Sequence, residues 1–383
     1  MNFRIIAYIV GWVCNFQAAF MMLPLLTAGI YREKDFSAFL LAMLVCLVVG
    51  VPLTRKKPKN KVFYIKDGCV AVALSWLALC IFGAIPFVVS GCIPHPIDAL
   101  FETVSGFTTT GSSILSDVEV LPHCILIWRS FTHWIGGMGV LVFLLSLLPL
   151  AGGYHMNLMK AESPGPSVSK LVPKVQSTAK ILYTIYFGMT LIQLALLLIG
   201  RVPLFDSLCI TFGTAGTGGF GIVNDSLGSY STYCQVVTTI FMILFGVNFS
   251  AYYLVLTKKF RQAFKYEEVR YYFGIIAVAI VIIALNTAHL FRNLLTAFQQ
   301  AAFQVGSIIT TTGFSSTDFN QWPALSKTVL VLLMFVGACA GSTGGGIKVS
   351  RILILCKAAK KEFQLYLHPN AVKKIKMDDK IIT

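Results

Sequence analysis

Charge is what this sequence has least of. Only 12% of its 383 residues are Asp, Glu, Lys or Arg, and only 16 are acidic. A soluble domain carries about 25% charged residues, so an ordinary soluble enzyme or binding module is excluded. The ten cysteines form no C-x-x-C pair, and most sit inside apolar runs, such as Cys46, Cys80, Cys209 and Cys339. They lack the spacing of zinc and redox sites and read as small buried hydrophobes. His133, His155 and His289 share no ligand spacing and are assigned no catalytic or metal role. The apolar runs themselves hold almost no ionisable residues. A polytopic membrane enzyme needs such groups converging at membrane depth, which counts against that class and against any cofactor.

What is present is apolar surface: 56% hydrophobic residues and a mean hydropathy of +0.76. A spanning helix needs about 20 mostly apolar residues. Runs at 5–30, 37–53, 68–91, 125–150, 181–200, 233–257, 271–290 and 325–355 meet that length and predict an all-α polytopic membrane protein. The run from Ile5 to Ile30 is too long for a signal-peptide core, and no A-x-A-like site follows, so it reads as a retained first span. Shorter semi-apolar segments at 97–108, 203–214 and 295–309 fit half-helices that dip in and do not cross.

The net charge of +15 would point to nucleic acid in a soluble chain. Here the positive-inside rule explains it, and the partner surface is the lipid bilayer. With the N-terminus in the cytoplasm, 25 of the 31 Lys and Arg fall inside and six outside. The six are Arg32, Lys34, Arg129, Arg201, Arg292 and Lys327. Arg129, near the outer end of its span, is expected to snorkel to the interface.

A Thr/Gly element returns three times, roughly every hundred residues. It reads G-F-T-T-T-G-S-S at 106–113, F-G-T-A-G-T-G-G-F-G at 212–221 and I-I-T-T-T-G-F-S at 308–315. Each copy follows a half-helix and precedes a span, on the outer side. The half-helices match too: Ala99 to Glu102 aligns with Ala301 to Gln304, and Asp98-Ala99-Leu100 with Asp206-Ser207-Leu208. Non-helical backbone at membrane depth is tolerated only when buried in protein or lining a water path. Glycine allows positive φ, so successive carbonyls can face one axis and replace an ion's hydration shell. The half-helix C-terminus favours a cation there. Glu102 in the first half-helix fits a hydrogen bond to the loop backbone, or a bias on cation entry.

The run 325–355 carries G-A-C-A-G-S-T-G-G-G at 337–346. Glycines this dense are incompatible with a continuous helix, since each costs about 1 kcal/mol against Ala. A break is expected there. Lys348 follows directly and fits either a cytoplasmic anchor or a part in gating. Gly136, Gly137 and Gly139 fit a thin helix wall beside a loop, or helix packing.

Four stretches make a family resemblance: F-E-T-V-S-G-F-T-T-T-G-S at 101–112, H-W-I-G-G-M-G-V at 133–140, T-G-G-F at 217–220 with T-T-T-G-F-S at 310–315, and G-S-T-G-G-G-I-K at 341–348. The chain resembles the Trk/Ktr/HKT superfamily of potassium transporters, most closely its bacterial TrkH-type subunits. The resemblance implies span, pore half-helix, filter loop and span units around a pseudo-fourfold pore, with potassium as the transported ligand. Carried onto this chain, the filter glycines are Gly111, Gly219 and Gly313. The potassium-contacting carbonyls fall at Thr109, Thr110, Thr217, Gly218, Thr311 and Thr312. The segment Gly341, Ser342, Thr343, Gly344, Gly345, Gly346 with Lys348 becomes an intramembrane gate. Gly111, where sodium-selective relatives carry Ser, implies potassium. A homodimer and a cytosolic nucleotide-binding regulatory ring are implied as partners, in the cytoplasmic (inner) membrane; the chain itself shows no nucleotide motif of that kind.

The expected organisation is two leading helices (1–67), pore repeat 1 (68–150), a cytoplasmic loop with repeat 2 (151–257), repeat 3 with the Gly-rich gate (258–357) and a basic tail (358–383). Three of four repeats are present. The fourth would be expected beyond Thr383, which makes truncation, and a non-transporting fragment, the alternative expectation. A sodium-permeable relative is the narrower one.

Overall fold

The computed structural model describes residues 2–58, 63–137, 139, 175–263, 265–368, 374–378 and 380–381. Among these the only strands are a two-residue antiparallel hairpin, Lys376–Met377 against Lys380–Ile381; the rest is helix and loop. Five described helices are long and apolar enough to cross a membrane, or six if one bent pair counts as a span. This is an all-α membrane protein. The chain divides into two units, Met1–Leu227 and Gly228–Thr383.

The first unit opens with α1 (Phe3–Phe20) and α2 (Met22–Tyr31), which together form the first expected span, followed by α3 (Phe36–Arg55) and α4 (Ile65–Ser90). Small residues let α1 and α3 touch: a methyl group at Gly50 would lie 2.8 Å from the Gly11 carbonyl oxygen. Close backbone approach is what binds helices in lipid, where apolar contact alone offers no net drive. Buried amides and indoles then tie the layers. Gln17 Nε2 donates to Leu79 O at 2.8 Å. Trp128 Nε1 donates to Gly83 O at 3.1 Å.

Pro96 begins the first half-helix, α5 (Pro96–Phe107), at a position where its missing N–H costs nothing. Then come α6 (His123–Gly137), α7 (Val175–Ile199) and the second half-helix, α8 (Leu204–Ala215). The expected span 125–150 is described to Gly137 and again at Gly139. The loop stretch 151–174, with His155 and Glu162 to Pro166, lies outside the described residues, as do Met138 and Val140.

The second unit holds α9 (Thr232–Phe245), α10 (Phe249–Leu256), α11 (Glu267–Thr287), the third half-helix α12 (Leu294–Ile309), α13 (Ala324–Val336) and α14 (Val349–Leu367). The run 325–355 breaks at its glycines, between α13 and α14. The run 233–257 was expected to be one span and is not: α9 and α10 meet at 95°. Gly246 ends α9, and the Asn248 side chain caps α10 by accepting the Ser250 N–H at 2.9 Å. Asn competes for backbone hydrogen bonds and favours such caps over helix interiors.

The loop between α2 and α3 anchors α6 from a distance. Glu33 accepts the N–H of His123 at 2.6 Å and of Cys124 at 2.9 Å. These are orphan donors of the α6 N-terminus, where a negative charge is also favoured by the helix dipole. Burial alone would raise the Glu33 carboxyl; the hydrogen bonds from Cys124 and His123 outweigh it and hold the group below its ordinary value. A depressed carboxyl contributes stability that is present above its unfolded value, about 4.3, and is lost as pH falls through the folded one. Glu33→Gln should therefore lower the stability of the detergent-solubilised protein by about 1–2 kcal/mol at neutral pH. The gap between wild type and variant should close as pH falls below about 4. A pH-independent gap in thermal unfolding would contradict this cap.

Candidate functional site

Each half-helix ends in the same way. In α5 the N–H of Thr110 bonds Ser105 O and that of Thr109 bonds Gly106 O, at 2.9 and 3.1 Å. In α8, Gly218 bonds Gly213 O and Thr217 bonds Thr214 O, at 2.9 and 3.0 Å. In α12, Thr312 bonds Ser307 O and Thr311 bonds Ile308 O, at 2.9 and 3.1 Å. This is the Schellman cap, which needs a left-handed residue, normally glycine. Here the residue is threonine each time: Thr109, Thr217 and Thr311 have φ of 55°, 54° and 59°. A β-branched residue in that region is an outlier that costs about 1–3 kcal/mol.

Two residues on, φ is positive again, at Gly111 (77°), Gly219 (73°) and Gly313 (86°). In an ordinary extended strand the carbonyls point alternately to opposite sides. Alternating the sign of φ departs from that pattern. Three loops of unequal sequence thus share one strained backbone, at the nine residues Thr109 to Gly111, Thr217 to Gly219 and Thr311 to Gly313.

Side chains brace the loops differently. In the first and third, threonine hydroxyls pair across the cap: Thr108 with Thr110 at 2.8 Å, Thr310 with Thr312 at 2.7 Å. In the second, glycines replace both. The fully buried His133 fills that space, and a methyl group at Gly216 or Gly218 would strike it. His133 stacks on Phe220 with centroids 4.2 Å apart. Its neighbours Gly136 and Gly137 let α6 pass close by. A methyl at Gly136 would strike the Phe107 carbonyl, and one at Gly137 would come within 2.6 Å of Gly216 Cα.

Arg129 does not snorkel. It is 2% exposed and donates through Nε to Glu102 at 2.8 Å, through Nη2 to Ser113 at 3.1 Å and through Nη1 to Gly221 O at 3.3 Å. Its guanidinium also lies 4.2 Å from the Phe220 ring centroid. Glu102 in turn accepts Ser113 Oγ and the Ile114 N–H, both at 3.0 Å. The planar fork of arginine satisfies several acceptors at once. The pair therefore clamps the segments that leave the first and second loops. A lone arginine reads as an anchor; an arginine and a glutamate both at membrane depth are the sequence signal of a pair.

In the second unit, the Gly-rich segment folds as a tight loop pinched at its base by Gly337 (φ 68°) and Gly346 (φ 74°). A methyl at Gly337 would lie 2.6 Å from Gly345 O. The break between α9 and α10 supplies partners for this loop. Cys339 N–H donates to Gly246 O and Phe249 N–H to Gly341 O, both at 3.0 Å, and Thr343 Oγ1 to Phe245 O at 3.2 Å. The loop abuts the third Thr/Gly element: Gly345 N–H donates to Thr311 Oγ1 at 2.7 Å, and a methyl at Gly344 would stand 3.0 Å from Thr310 O. Ser342 Oγ donates to Cys339 O at 2.6 Å. Lys348 Nζ donates to Gly344 O, so this lysine is tied into the loop itself. The 245–249 break leaves little trace in the sequence, because a single Gly and a single Asn interrupt an otherwise apolar run.

Removing Glu102 alone would leave the Arg129 charge buried without its partner. Glu102→Ala should lower stability by about 3–5 kcal/mol, and Glu102→Gln with Arg129→Met should recover much of that loss. Thermal unfolding in detergent measures both; a mild Glu102→Ala phenotype would contradict the clamp.

A family model described as TrkH, cation transport protein, matches residues 35–383. The Trk system potassium uptake protein TrkH of Salmonella typhimurium is 36% identical over 392 residues, which takes in 100% of this chain and 80% of that protein. The protein of the same name from Escherichia coli strain K12 is 35% identical over 389 residues, with the same coverage. The crystal structure of the potassium transporter TrkH from Vibrio parahaemolyticus superposes with a TM-score of 0.87 at 30% identity, over 98% of this chain and 79% of that one.

Proposed function

The chain belongs to the TrkH family of cation transport proteins, and from that premise we propose that it forms the potassium path of a Trk-type uptake system in the cytoplasmic membrane. The observation that carries this reading is the backbone pattern shared by the three Thr/Gly loops. Positive φ at Thr109, Thr217 and Thr311, and again at Gly111, Gly219 and Gly313, orients carbonyls as cation ligands. Such carbonyls replace the hydration shell of potassium, which lets the ion leave water at little net cost. The preceding half-helices each end at a loop, where their negative dipole ends favour a cation.

Potassium enters from outside, loses water to the loop carbonyls and passes the Gly-rich loop. The Gly341 to Gly346 segment with Lys348 acts as the gate, because it lies against Thr310 and Thr311 and its glycines permit displacement. No bond is made or broken, and no cofactor is required. The N-terminus lies in the cytoplasm, as the distribution of Lys and Arg favours. The similar proteins are named as parts of a Trk system, which supports work with further subunits. We read these as a second copy of this chain and a cytosolic nucleotide-binding ring that acts on the gate.

The protein, expressed in a bacterium lacking its own potassium uptake, should restore growth on low potassium. Gly313 has open space around an added Cβ but a φ of 86°, so its substitution acts on backbone conformation and not on packing. A left-handed serine costs about 1–2 kcal/mol. Gly313→Ser should therefore lower the preference for potassium over sodium by roughly tenfold. No rescue by protein that reaches the membrane would overturn the transport reading; unchanged selectivity in Gly313→Ser would overturn the filter assignment.

A further inference from the structure

The Gly-rich loop is held by backbone pairs and by side chains, Thr343 and Thr311 among them. One side chain does something different. Glu268, in the first turn of α11, is 3% exposed. Its Oε1 accepts the N–H of Ala340 at 2.6 Å and the N–H of Ser350 at 3.1 Å. Ala340 lies on the limb entering the loop, and Ser350 lies in the first turn of α14, just past it. A single carboxylate oxygen thus holds both flanks of the segment Gly341 to Lys348. It also serves α14 as a substitute cap, since the residue in the cap position, Lys348, makes no side-chain cap bond.

The other ties are of different kinds. The pairs Cys339 with Gly246 and Phe249 with Gly341 require two main chains to part together. Lys348 closes on Gly344 within the loop and travels with it. The Thr311 contact is one hydrogen bond between uncharged groups. Glu268 accepts two backbone N–H groups at one oxygen, and such bonds are roughly twice as strong as neutral ones when the carboxylate is ionised. Its position is also wired outward. The adjacent Glu267 pairs with Lys357 of α14, its N–H donates to Asp378 at 2.8 Å, and Lys357 also reaches Lys376 O at 2.8 Å. Displacement of α14 or of the terminal hairpin therefore bears on the residue beside Glu268.

We propose that Glu268 is the latch of the Gly-rich loop, a positioning residue whose carboxylate keeps the loop against Thr310 and Thr311 and must release Ala340 or Ser350 for ions to pass. The proposal rests on the reading of that loop as the gate. It predicts a gain of transport on removing a buried residue, which a merely structural role would not produce.

The test is initial rubidium uptake into proteoliposomes holding the full protein, normalised to protein incorporated, with sodium competition. Glu268→Gln keeps the shape and one acceptor and should raise the basal rate about threefold; Glu268→Ala should raise it about tenfold. The potassium-to-sodium preference should not change in either. Amide exchange over 339–350 should quicken by about tenfold in Glu268→Gln. Unchanged or lower uptake in folded Glu268→Gln, or unchanged exchange there, overturns the latch. Gly344→Ala separates the two readings, because its methyl group would strike Ala338 and crowd Thr310 O. Uptake altered by Gly344→Ala but not by either Glu268 variant sinks the latch and leaves the gate. Uptake altered by none of the three sinks the gate.

Discussion

Irregular backbone inside a membrane must find a partner for every N–H and C=O, and this structure depends on that constraint. Each unsatisfied group in lipid costs several kcal/mol. Among the described residues the chain breaks its helices repeatedly, and several of the breaks are answered by specific devices. Three half-helices end in Schellman caps. The kink after Phe245 frees main-chain groups that the Gly-rich loop takes up. The α6 N-terminus takes Glu33, and α14 takes Glu268. A cap of this kind fixes direction as well as energy. The same left-handed threonine that completes each cap sets the backbone that follows it, so closing the helix and shaping the loop are one event.

The repeats share a backbone but not a bracing scheme, and the differences follow from what packs behind each loop. Glu102 in the first becomes Ile210 in the second and Gln304 in the third. Only the first therefore needs Arg129, and the second gives up its threonine side chains to make room for His133. In the third, Thr311 spends its hydroxyl on the Gly-rich loop and Gln304 reaches Thr317 O at 3.3 Å. A buried ion pair is weak evidence for stability as such, because its desolvation offsets much of its attraction. Its value here is in position: it holds Ser113, Ile114 and Gly221 relative to one another.

Much of this was legible in the sequence. The Thr/Gly elements, their half-helices and the break at 337–346 all follow from apolar run lengths and from glycine density, which are local signals. What was not legible depends on long-range partners. Arg129 read as an interfacial anchor because its surroundings in sequence are apolar; its glutamate lies 27 positions away, on another helix. The 245–249 kink hid in a run whose mean character is still that of a span. Glu268 stood among the charges of a helix start and showed nothing of its two distant amides. Such cases turn on which donor a side chain meets, and periodicity carries no record of that.

The central claim is that potassium is held by carbonyls presented by left-handed threonine caps. The most direct measurement is the anomalous scattering of crystals of this protein grown with rubidium in place of potassium. The account predicts peaks in contact with main-chain oxygens within Thr109 to Gly111, Thr217 to Gly219 and Thr311 to Gly313. Peaks that avoid all three loops, in crystals that do contain bound rubidium, would contradict it.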